Sequence, residues 1–373
     1  MALLNDGGTH LGGPVLIIGT GLLGASIGLG LRARGIDVVL SDISPSTQAV
    51  AQDIGAGRPL QEARAAGLFA PELVVVAAPP DVTAAVVLGA LSEYSQATVI
   101  DISSVKTAIV REVEQGAADA ELARYVGTHP MAGREKSGPV AANAELFSGM
   151  PWILCPQERS SLDAVRCAQA LAVDLGAVPA RMSVDEHDQT VALISHFPQV
   201  VSSLVAGRLQ DTPPHALSLA GNGLRDVTRI AASDPGLWVQ ILSANAERLV
   251  QILYGVREDL NRLISTLENP LADGARLGMA QLIADGNAGQ ARIPGKHGTP
   301  PGSFARLTVL VDDAPGQIAR LLTDIGDTGI NLEDLRLEHS PGRQLGLAEV
   351  SVLPGKRHEL ADSLTARGWK VVQ

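Results

Sequence analysis

The sequence predicts a mixed α/β protein in three parts: an N-terminal part built on a parallel β-sheet, an all-helical middle part and a small C-terminal α+β part. Three observations support this. Short β-branched runs alternate with helical patterns in the first half, helical periodicity dominates after Ser183, and a Gly- and Pro-rich stretch precedes a strand–helix–strand–strand–helix–strand pattern. We therefore expect domains at 1–182, 183–284 and 303–373, with a linker at 285–302.

Composition limits the classes of function that this protein can have. The 373 residues leave room for two or three domains. A net charge of −11 disfavours nucleic acid as a partner, although a small anionic substrate stays open. The two cysteines, Cys155 and Cys167, show no metal-ligand spacing, so we expect neither metal nor disulfides, as is typical of a reducing cytoplasm. We see no signal peptide and no apolar run of the roughly 18 residues that a membrane span needs.

The predicted strands of the first part are continuous apolar runs. They lie at 14–19, 37–42, 72–80, 97–103, 125–131 and 151–156. Apolar runs of this kind, separated by helical patterns, indicate a parallel sheet that helices cover on both faces.

The stretch GTGLLGAS (19–26) follows the first predicted strand, opens a helix and has the spacing G-x-G-x-x-G. Such a turn brings the backbone close to a pyrophosphate, and the helix N-terminus supplies N–H donors. The cofactor-binding residues predicted in this loop are Gly19, Gly21, Leu22, Leu23 and Gly24. Asp42 closes the next strand, where its carboxylate can accept the ribose hydroxyls and repel a 2′-phosphate. We therefore predict a Rossmann-type domain that binds NAD rather than NADP, the alternative being a glycine turn without a nucleotide.

Three further strand ends should meet at the same edge of the sheet, where open α/β sheets bind ligands. Ala78 and Pro79 follow one strand and form the predicted rim of the cofactor crevice, Ser104 follows the next, and His129 lies at the end of the one after. A histidine can accept a proton from a hydroxyl near neutral pH, so His129 and Ser104 are our catalytic candidates. The alternatives are serines that cap the helix near Val105 and a purely structural histidine.

The middle part is predicted as three long helices, at Val184–Gln210, Ala216–Ala232 and Leu237–Leu267. Pro198 interrupts the first helix, with Ser195 and Gln199 one turn apart on one face. This feature is either a substrate-facing kink or a packing kink.

Arg225 and Arg229 are spaced i,i+4 in the second predicted helix. Side chains at this spacing project from one helix face, which can receive a carboxylate. The alternative is a solvated basic face with Asp226 as local partner. Trp238 follows an Asp-Pro break and is predicted to cover an interface or pocket.

The last part has the order βαββαβ, which predicts a ferredoxin-like fold. Its strand candidates include FARLTVLV (304–311), its first helix lies at 315–329, and its second at 358–368.

Taken together, these motifs resemble the TyrA family, the prephenate and arogenate dehydrogenases of tyrosine synthesis. The matching pieces are GTGLLGAS, DISSVK, THPMAGREKSG, ISHFP and LRDVTRIAASDPGLW, in that order, over roughly residues 14 to 285. The tail resembles an ACT regulatory domain through DDAPGQIARLLTDIGDTGINLEDL. The resemblance implies that the ring carbon bearing a 4-hydroxyl loses hydride to NAD while CO2 leaves.

The resemblance also implies residue roles. His129 matches the histidine that accepts the hydrogen bond or proton of the 4-hydroxyl, and Ser104 matches the serine that orients both. Arg229 matches the arginine that holds the side-chain carboxylate, and Arg225 falls where relatives carry a basic residue. Trp238 matches an aromatic residue that, in the family, can come from the partner in a homodimer.

Two positions depart from the family pattern. Position 199 is Gln where some relatives have His, and position 134 is Arg where others carry a small hydroxyl residue. Arogenate carries an ammonium group on its side chain, which an acidic residue would suit, whereas prephenate carries a ketone. Neutral Gln199 therefore favours prephenate. The role of Arg134, Glu135 and Lys136 is left open.

The ACT-like tail suggests feedback by tyrosine, with Gly316 and Asn331 flanking the ligand groove. The alternative for this tail is an oligomerisation module without a ligand. Two other readings of the whole chain compete with the one above. A β-hydroxy-acid dehydrogenase would rely on a lysine in the helical domain, yet no lysine occurs between Lys136 and Lys296. A sensor of NAD and amino acids would need no catalytic histidine.

Overall fold

The structure is a computed structural model, and the residues that it describes are 9–67, 69–132, 138–294, 304–339 and 345–372. The chain divides into two compact units. The first joins Met1–Gln210 to Val227–Gly255, and the second joins Asp211–Asp226 to Val256–Gln373. This division cuts through the helical region, so the domain boundaries expected from the sequence stay predictions.

An eight-stranded sheet forms the centre of the first unit. Its strands are β1 (Val15–Ile18), β2 (Val38–Ser41), β3 (Arg58–Pro59), β4 (Leu73–Val76), β5 (Thr98–Asp101), β6 (Tyr125–Pro130), β7 (Pro151–Cys155) and β8 (Val178–Arg181). They are arranged in the order β3-β2-β1-β4-β5-β6-β7-β8. The first six follow the Rossmann-type order 3-2-1-4-5-6, which confirms the predicted fold class. The strand order reverses between β1 and β4: β2 and β3 lie on one side of this point, and β5 and β6 on the other. Ligands of such sheets bind outside the carboxyl ends of the strands at this point.

The far side of the sheet differs from the prediction. The strand β7 runs antiparallel to β6, whereas the sequence pattern predicted a wholly parallel sheet. A parallel return needs a long crossover connection, and the described part of this connection holds only a short 3-10 turn at Pro139–Ala141. The strands β3 and β8 lack the apolar run that marks a buried strand, and the sequence analysis missed both.

Helices cover both faces of this sheet, as predicted. They are α1 (Leu22–Arg32), α2 (Pro45–Asp53), α3 (Leu60–Ala65), α4 (Pro80–Glu93), α5 (Thr107–Gly116), α6 (Asp119–Leu122) and α7 (Leu162–Asp174). One apolar core packs α1 and α7 against the sheet, and a second packs α4 and α5 against the opposite face. Burial of these apolar surfaces fixes the strand ends that carry the candidate site residues.

The helical region is more broken than predicted. Its elements are α8 (Val184–Val191), a π-helical turn (Ala192–His196), α9 (Phe197–Gly207), α10 (Pro214–Leu217), α11 (Asn222–Thr228), a 3-10 turn (Arg229–Ala231), α12 (Pro235–Ala244), α13 (Ala246–Glu268) and α14 (Ala275–Gln290). The single helix predicted over Ala216–Ala232 is therefore wrong, because the chain leaves the α-helix on both sides of α11. The helix α14 reaches Gln290, so residues 285–290 of the predicted linker are helical.

The predicted interruption at Pro198 takes the form of the π-helical turn directly before it. Proline has no N–H to donate, and its ring clashes with the carbonyl four residues earlier, so the preceding turn widens. Among the described residues, Val184–Gly207 is long and apolar enough to cross a membrane, with a mean hydropathy of 1.3. It nevertheless carries His187, Asp188 and His196, which are buried and bond to other residues of the first unit. Such contacts are typical of a core helix.

The second unit contains the predicted βαββαβ domain. Its elements are β9 (Ala305–Asp312), α15 (Gln317–Gly326), β10 (Asp334–His339), β11 (Leu345–Val352), α16 (Arg357–Ala366) and β12 (Lys370–Val372). The strands form an antiparallel sheet in the order β10-β11-β9-β12. Alternate residues of β9 and β11 pack with α15 and α16 in one apolar core.

Candidate active site

The glycine loop between β1 and α1 has the geometry that a dinucleotide site requires. Gly19 has φ +98°, and a Cβ there would lie 2.4 Å from the carbonyl oxygen of Ala77. A Cβ on Gly24 would lie 2.0 Å from the carbonyl oxygen of Gly19. By contrast, a Cβ on Gly21 would meet nothing within 4 Å, because this glycine faces open space at the N-terminus of α1. The first and third glycines therefore close the turn, and the second leaves room for a pyrophosphate.

The rest of the cofactor crevice surrounds this loop. Asp42 follows β2, and its carboxylate accepts hydrogen bonds from the backbone N–H groups of Thr20 (2.6 Å) and Ser44 (2.8 Å). Ala78 and Pro79 lead from β4 into α4, and the Thr83 hydroxyl donates to both of their carbonyls. The structure thus places Asp42, Ala78 and Pro79 at the carboxyl ends of the central strands beside the open helix N-terminus. These residues fit NAD: the helix N-terminus suits the pyrophosphate, and the Asp42 carboxylate suits the ribose.

A buried polar cluster joins the ends of β5 and β6. Lys106 and Asp101 form an ion pair that is fully removed from solvent. The Asp101 carboxylate also accepts the Tyr125 hydroxyl at 2.8 Å and the Ser103 N–H at 2.9 Å. The Thr128 hydroxyl donates to the Asp101 carbonyl at 2.7 Å. A buried ion pair is stable only when further hydrogen bonds satisfy its atoms, and this one has them.

Ser104 lies half-buried in the turn between Asp101 and Lys106. The alternative, in which serines of this turn cap the following helix, does not hold for α5. The helix α5 begins at Thr107 without a side-chain cap of its own. Its first amides are instead bound by Asp188 from α8, which accepts the N–H groups of Lys106 (2.9 Å) and Thr107 (2.8 Å).

His129, at the end of β6, takes part in a chain of three side chains. Its Nδ1 lies 2.9 Å from Nε2 of His187. The Nδ1 of His187 lies in turn 2.8 Å from the Asp188 carboxylate. His187 and Asp188 are fully buried, whereas His129 keeps some exposure. The partner of His129 is therefore His187, whereas the sequence pointed to Ser104.

Burial and charge set the protonation of this chain. Burial, the neighbouring His187 ring and the Lys106 ammonium together hold the pKa of His129 well below 6.5. Burial acts to raise the pKa of Asp188, but hydrogen bonds from His187 and from the start of α5 outweigh it and hold that pKa well below 3.8. At neutral pH, Asp188 is therefore a carboxylate and His129 a neutral imidazole, the state in which it can accept a proton.

A second buried histidine, His196, connects this hydrogen-bonded chain of side chains to a cavity. Asn245 donates to the Asp188 carbonyl at 2.8 Å, and its amide lies 3.2 Å from Nδ1 of His196. Burial lowers the pKa of His196 to about 4. The His196 ring packs edge-on against Trp238, with 6.1 Å between the ring centroids. This contact places the tryptophan next to the histidine cluster.

The cavity beside Trp238 has a volume of about 390 Å³ and a largely apolar lining. Gln199 contributes its amide, which lies 3.4 Å from the hydroxyls of Ser203 and Ser233. Other lining residues include Val200, Leu204, Pro235 and Leu242. The structure therefore brings Gln199 and Trp238 together on one cavity. Ser195 lies half-buried in the π-helical turn and does not line this cavity.

The two candidate arginines lie in different elements. Arg225 lies in α11, which ends at Thr228, and Arg229 begins the 3-10 turn that follows. Both arginines are exposed, and they fall in different compact units. Arg134, Glu135 and Lys136 lie outside the described residues.

Sequence reasoning missed His187 and Asp188. The segment VDEHDQTV opens an apolar helix, and its adjacent polar residues His187 and Asp188 are both buried. Ionisable residues are seldom fully buried unless they are paired, so they point to a built site. Their partner His129 lies far away in the sequence, and no spacing rule connects the two segments.

Comparison with known protein families agrees with this geometry. Residues 27–180 match the family described as "Prephenate dehydrogenase, nucleotide-binding domain". Residues 183–281 match the family described as "Prephenate dehydrogenase, dimerization domain". The two matches together span more than half of the chain.

Individual relatives extend the likeness. The chain is 34% identical to the probable prephenate dehydrogenase NovF of Streptomyces niveus, covering 95% of this chain and 98% of the relative. A crystal structure of prephenate dehydrogenase from Aquifex aeolicus, in complex with hydroxyphenyl propionate and NAD+, is 27% identical, with a TM-score of 0.64 over 75% of this chain and 99% of that one. Synechocystis arogenate dehydrogenase is 26% identical, with a TM-score of 0.59 over 74% and 99% of the two chains.

Proposed function

The chain belongs to the prephenate dehydrogenase family, and from that premise we propose that it catalyses the NAD-dependent oxidative decarboxylation of prephenate to 4-hydroxyphenylpyruvate. The observation that carries the proposal is the neutral His129 at a strand end of a dinucleotide-binding fold, held by His187 at 2.9 Å. NAD, when bound, accepts the hydride from the ring carbon that bears the 4-hydroxyl.

His129 acts as the general base in this proposal. Within the described part of the chain its Nε2 makes no hydrogen bond, so that nitrogen is available to the substrate's 4-hydroxyl. As His129 takes the hydroxyl proton, electron density on the oxygen rises and pushes the hydride away, while the ring carboxylate leaves as CO2 and the ring becomes aromatic. Ser104, in the neighbouring strand-end turn, is proposed to hydrogen-bond the same hydroxyl.

In this proposal the arginines bind the side chain of the substrate, away from the 4-hydroxyl. A strong clamp on the ring carboxylate would stabilise the ground state of a group that must lose its charge as CO2. We therefore assign Arg229 to the side-chain carboxylate, where binding serves positioning, with Arg225 as a supporting basic residue. Gln199 and Trp238 are proposed to enclose the side chain at the cavity that they share, with Ser195 on the neighbouring turn.

The preference between prephenate and arogenate depends on the charge around the side chain. Among the described residues that line the cavity of Gln199 there is no carboxylate to pair with the ammonium of arogenate. We expect a higher kcat/KM for prephenate than for arogenate, and for NAD than for NADP. Initial rates of the purified protein with the four combinations test this. A preference for arogenate would make the chain an arogenate dehydrogenase that forms tyrosine directly, and absence of oxidation with either substrate would contradict the proposal as a whole.

Regulation is proposed for the βαββαβ domain, as an ACT-like domain that binds tyrosine between two copies of the chain. In a single chain the recess between the β9–α15 turn and strands β10 and β11 has a volume of only about 40 Å³. Neither Gly316 nor Asn331 lines it; Gly316 caps α15 with φ +86°, and Asn331 donates to Glu333 at 2.7 Å. A second copy must therefore complete the site. We also propose a homodimer that works in the cytoplasm.

Tyrosine titration of the prephenate reaction tests the regulatory part. If tyrosine acts through this domain, it lowers kcat or makes the rate sigmoidal in prephenate, and Asn331→Ala weakens the effect several-fold. If tyrosine raises only the KM for prephenate, to the same extent in both proteins, it competes at the active site and the regulatory proposal fails.

A further inference from the structure

The hydrogen-bonded chain from His129 through His187 to Asp188 fixes the ring protons as well as the ring positions. Asp188 accepts two backbone amides of α5 and His187 Nδ1, and its hydrogen-bond partners keep it a carboxylate. A carboxylate can only accept hydrogen bonds, so the proton between it and His187 must reside on His187 Nδ1. Each hydrogen bond of the chain then determines the direction of the next.

The next bond follows from the chemistry of neutral imidazole. A neutral histidine that carries its proton on Nδ1 presents a lone pair at Nε2. When His187 carries this one ring proton, its Nε2, 2.9 Å from His129 Nδ1, accepts and His129 Nδ1 donates. His129 is left with a lone pair on Nε2, which is the form that a general base requires. In the other tautomer, Nε2 would carry a proton and could not take one from a hydroxyl.

The surroundings favour this direction. The Lys106 ammonium is paired with Asp101, and Lys106 binds Asp188 through its backbone N–H. His196 is held near Asp188 through Asn245, and its low pKa keeps it neutral at ordinary pH. The charge of Asp188 is thus directed at His187 and at the N-terminus of α5, where the helix dipole stabilises an anion.

We propose that His187 and Asp188 are positioning residues that hold His129 in the Nδ1–H tautomer and stabilise its imidazolium when Nε2 takes the substrate's proton. The positive charge formed on His129 is then shared along the chain toward the Asp188 carboxylate. Neither residue needs to touch the substrate. This inference rests on the proposed function for its catalytic part, but the tautomer itself is a property of the enzyme without substrate.

Asp188→Asn is the sharpest test, because an amide can reverse the direction of the hydrogen bonds from residue 188 through His187 to His129. With its oxygen in the Oδ2 position the Asn still accepts the Thr107 N–H, while its NH2, in the Oδ1 position, gives up the Lys106 N–H and donates to His187 Nδ1. That change moves the His187 proton to Nε2, makes it donate to His129 Nδ1 and leaves a proton on His129 Nε2. We expect kcat to fall on the order of 10³- to 10⁴-fold, as for a triad aspartate replaced by asparagine, with the KM for NAD changed less than about twofold.

Variants of His187 separate orientation from bulk. The side-chain oxygen of His187→Gln can accept from His129 Nδ1, so this variant should retain at least about tenfold more kcat than His187→Leu, which cannot. Asp174→Asn is the matched control. Asp174 also accepts two backbone amides and pairs with a histidine, His10, at 2.8 Å, but has no link to His129. Its kcat should stay within about twofold of the wild type.

A spectroscopic measurement on the wild-type enzyme keeps the proposal testable if a variant fails to fold. Nitrogen NMR of the ¹⁵N-histidine-labelled full chain distinguishes ring nitrogens with a proton from those with a lone pair. We expect a proton on Nδ1 of both His129 and His187. A proton on His129 Nε2, or a kcat of folded Asp188→Asn within about threefold of the wild type, would overturn the inference. If the tautomers are as expected and prephenate is not oxidised, the proposed function fails and the tautomer assignment stands.

Discussion

The two ring nitrogens of His129 have different roles, and burial of the ring affects both. Nδ1 is hydrogen-bonded to His187, and Nε2 has no partner among the residues that the structure describes. Burial, His187 and Lys106 lower the pKa of the ring. A base of lower pKa is intrinsically weaker, but it is fully in its active, neutral form at neutral pH. The site therefore favours availability of the base over its strength, and the carboxylate at the far end of the chain compensates by stabilising the protonated form.

The pH dependence of the reaction follows from this pKa. The active form is the neutral ring, which predominates above the pKa and is lost below it. Because burial, together with His187, Lys106 and His196, outweighs Asp188 and holds the pKa of His129 below 6.5, kcat/KM for prephenate should stay level as pH falls from neutrality to 6.5 and decline only at lower pH. Initial rates across this range test the prediction, and an acid limb centred at or above 6.5 would contradict it.

Replacement of the base checks that this limb belongs to His129. We expect His129→Asn to lower kcat by roughly 10²- to 10⁴-fold and to remove the acid limb from the remaining activity. His215→Asn is the control, since His215 is exposed in α10. It should leave both the rate and the pH profile unchanged.

At the scale of elements, the glycine loop separates folding from cofactor binding. Gly21→Ala places a methyl group where the chain has nothing within 4 Å, and the backbone of Gly21 (φ −66°, ψ −163°) is open to alanine. We expect unchanged thermal stability and a KM for NAD raised at least about tenfold, because the methyl group occupies the space of the pyrophosphate. Gly24→Ala should instead lower the melting temperature, since its Cβ would meet the Gly19 carbonyl at 2.0 Å.

Gly89→Ala controls for the effect of a methyl group alone. Gly89 is exposed in α4 and also has nothing within 4 Å of a Cβ. Alanine there should raise stability slightly, by about 0.5–1 kcal/mol, and leave the KM for NAD unchanged. A Gly21→Ala protein whose KM for NAD matches that of Gly89→Ala would contradict the assignment of this loop to the pyrophosphate.

The elements also show what the sequence could predict. The central strands, the glycine turn and the βαββαβ order depend on local patterns, and these patterns are strong here. The reversal of β7 was not predictable from its apolar run, because a buried strand has the same pattern in either direction. The break between α10 and α11 was hidden by continuous helical periodicity, although Gly221 and Gly223 in GNG favour a break there.

The active-site chain was accessible to sequence reasoning only in part. His129 stands at a predicted strand end, and its place beside a dinucleotide motif made it a candidate. The contact with His187 depends on how α8 packs against the ends of β5 and β6, which is a tertiary event without a sequence period. A pair of residues so distant in the chain becomes visible only when the fold brings them together.

At the scale of the whole molecule, one feature calls for a second copy of the chain. The helix α13 carries Leu260, Ile264 and Leu267 at the spacing of one helical face, with exposures of 52%, 46% and 54%. An amphipathic helix normally buries such a stripe. Residues 183–281 match a family described as a dimerization domain, and the stripe lies within that match. We therefore expect this face to be covered in the proposed homodimer.

Ile264→Asp tests this expectation, because it places a charge in the middle of the stripe. Burying an unpaired carboxylate is costly, so the variant should shift from a dimer toward the 38.7 kDa chain in light scattering coupled to gel filtration. Ser265→Asp introduces the same charge at an exposed polar position of the same helix, off the stripe, and should remain dimeric. A dimeric Ile264→Asp protein would place the interface elsewhere, and a monomeric wild type would contradict the homodimer itself.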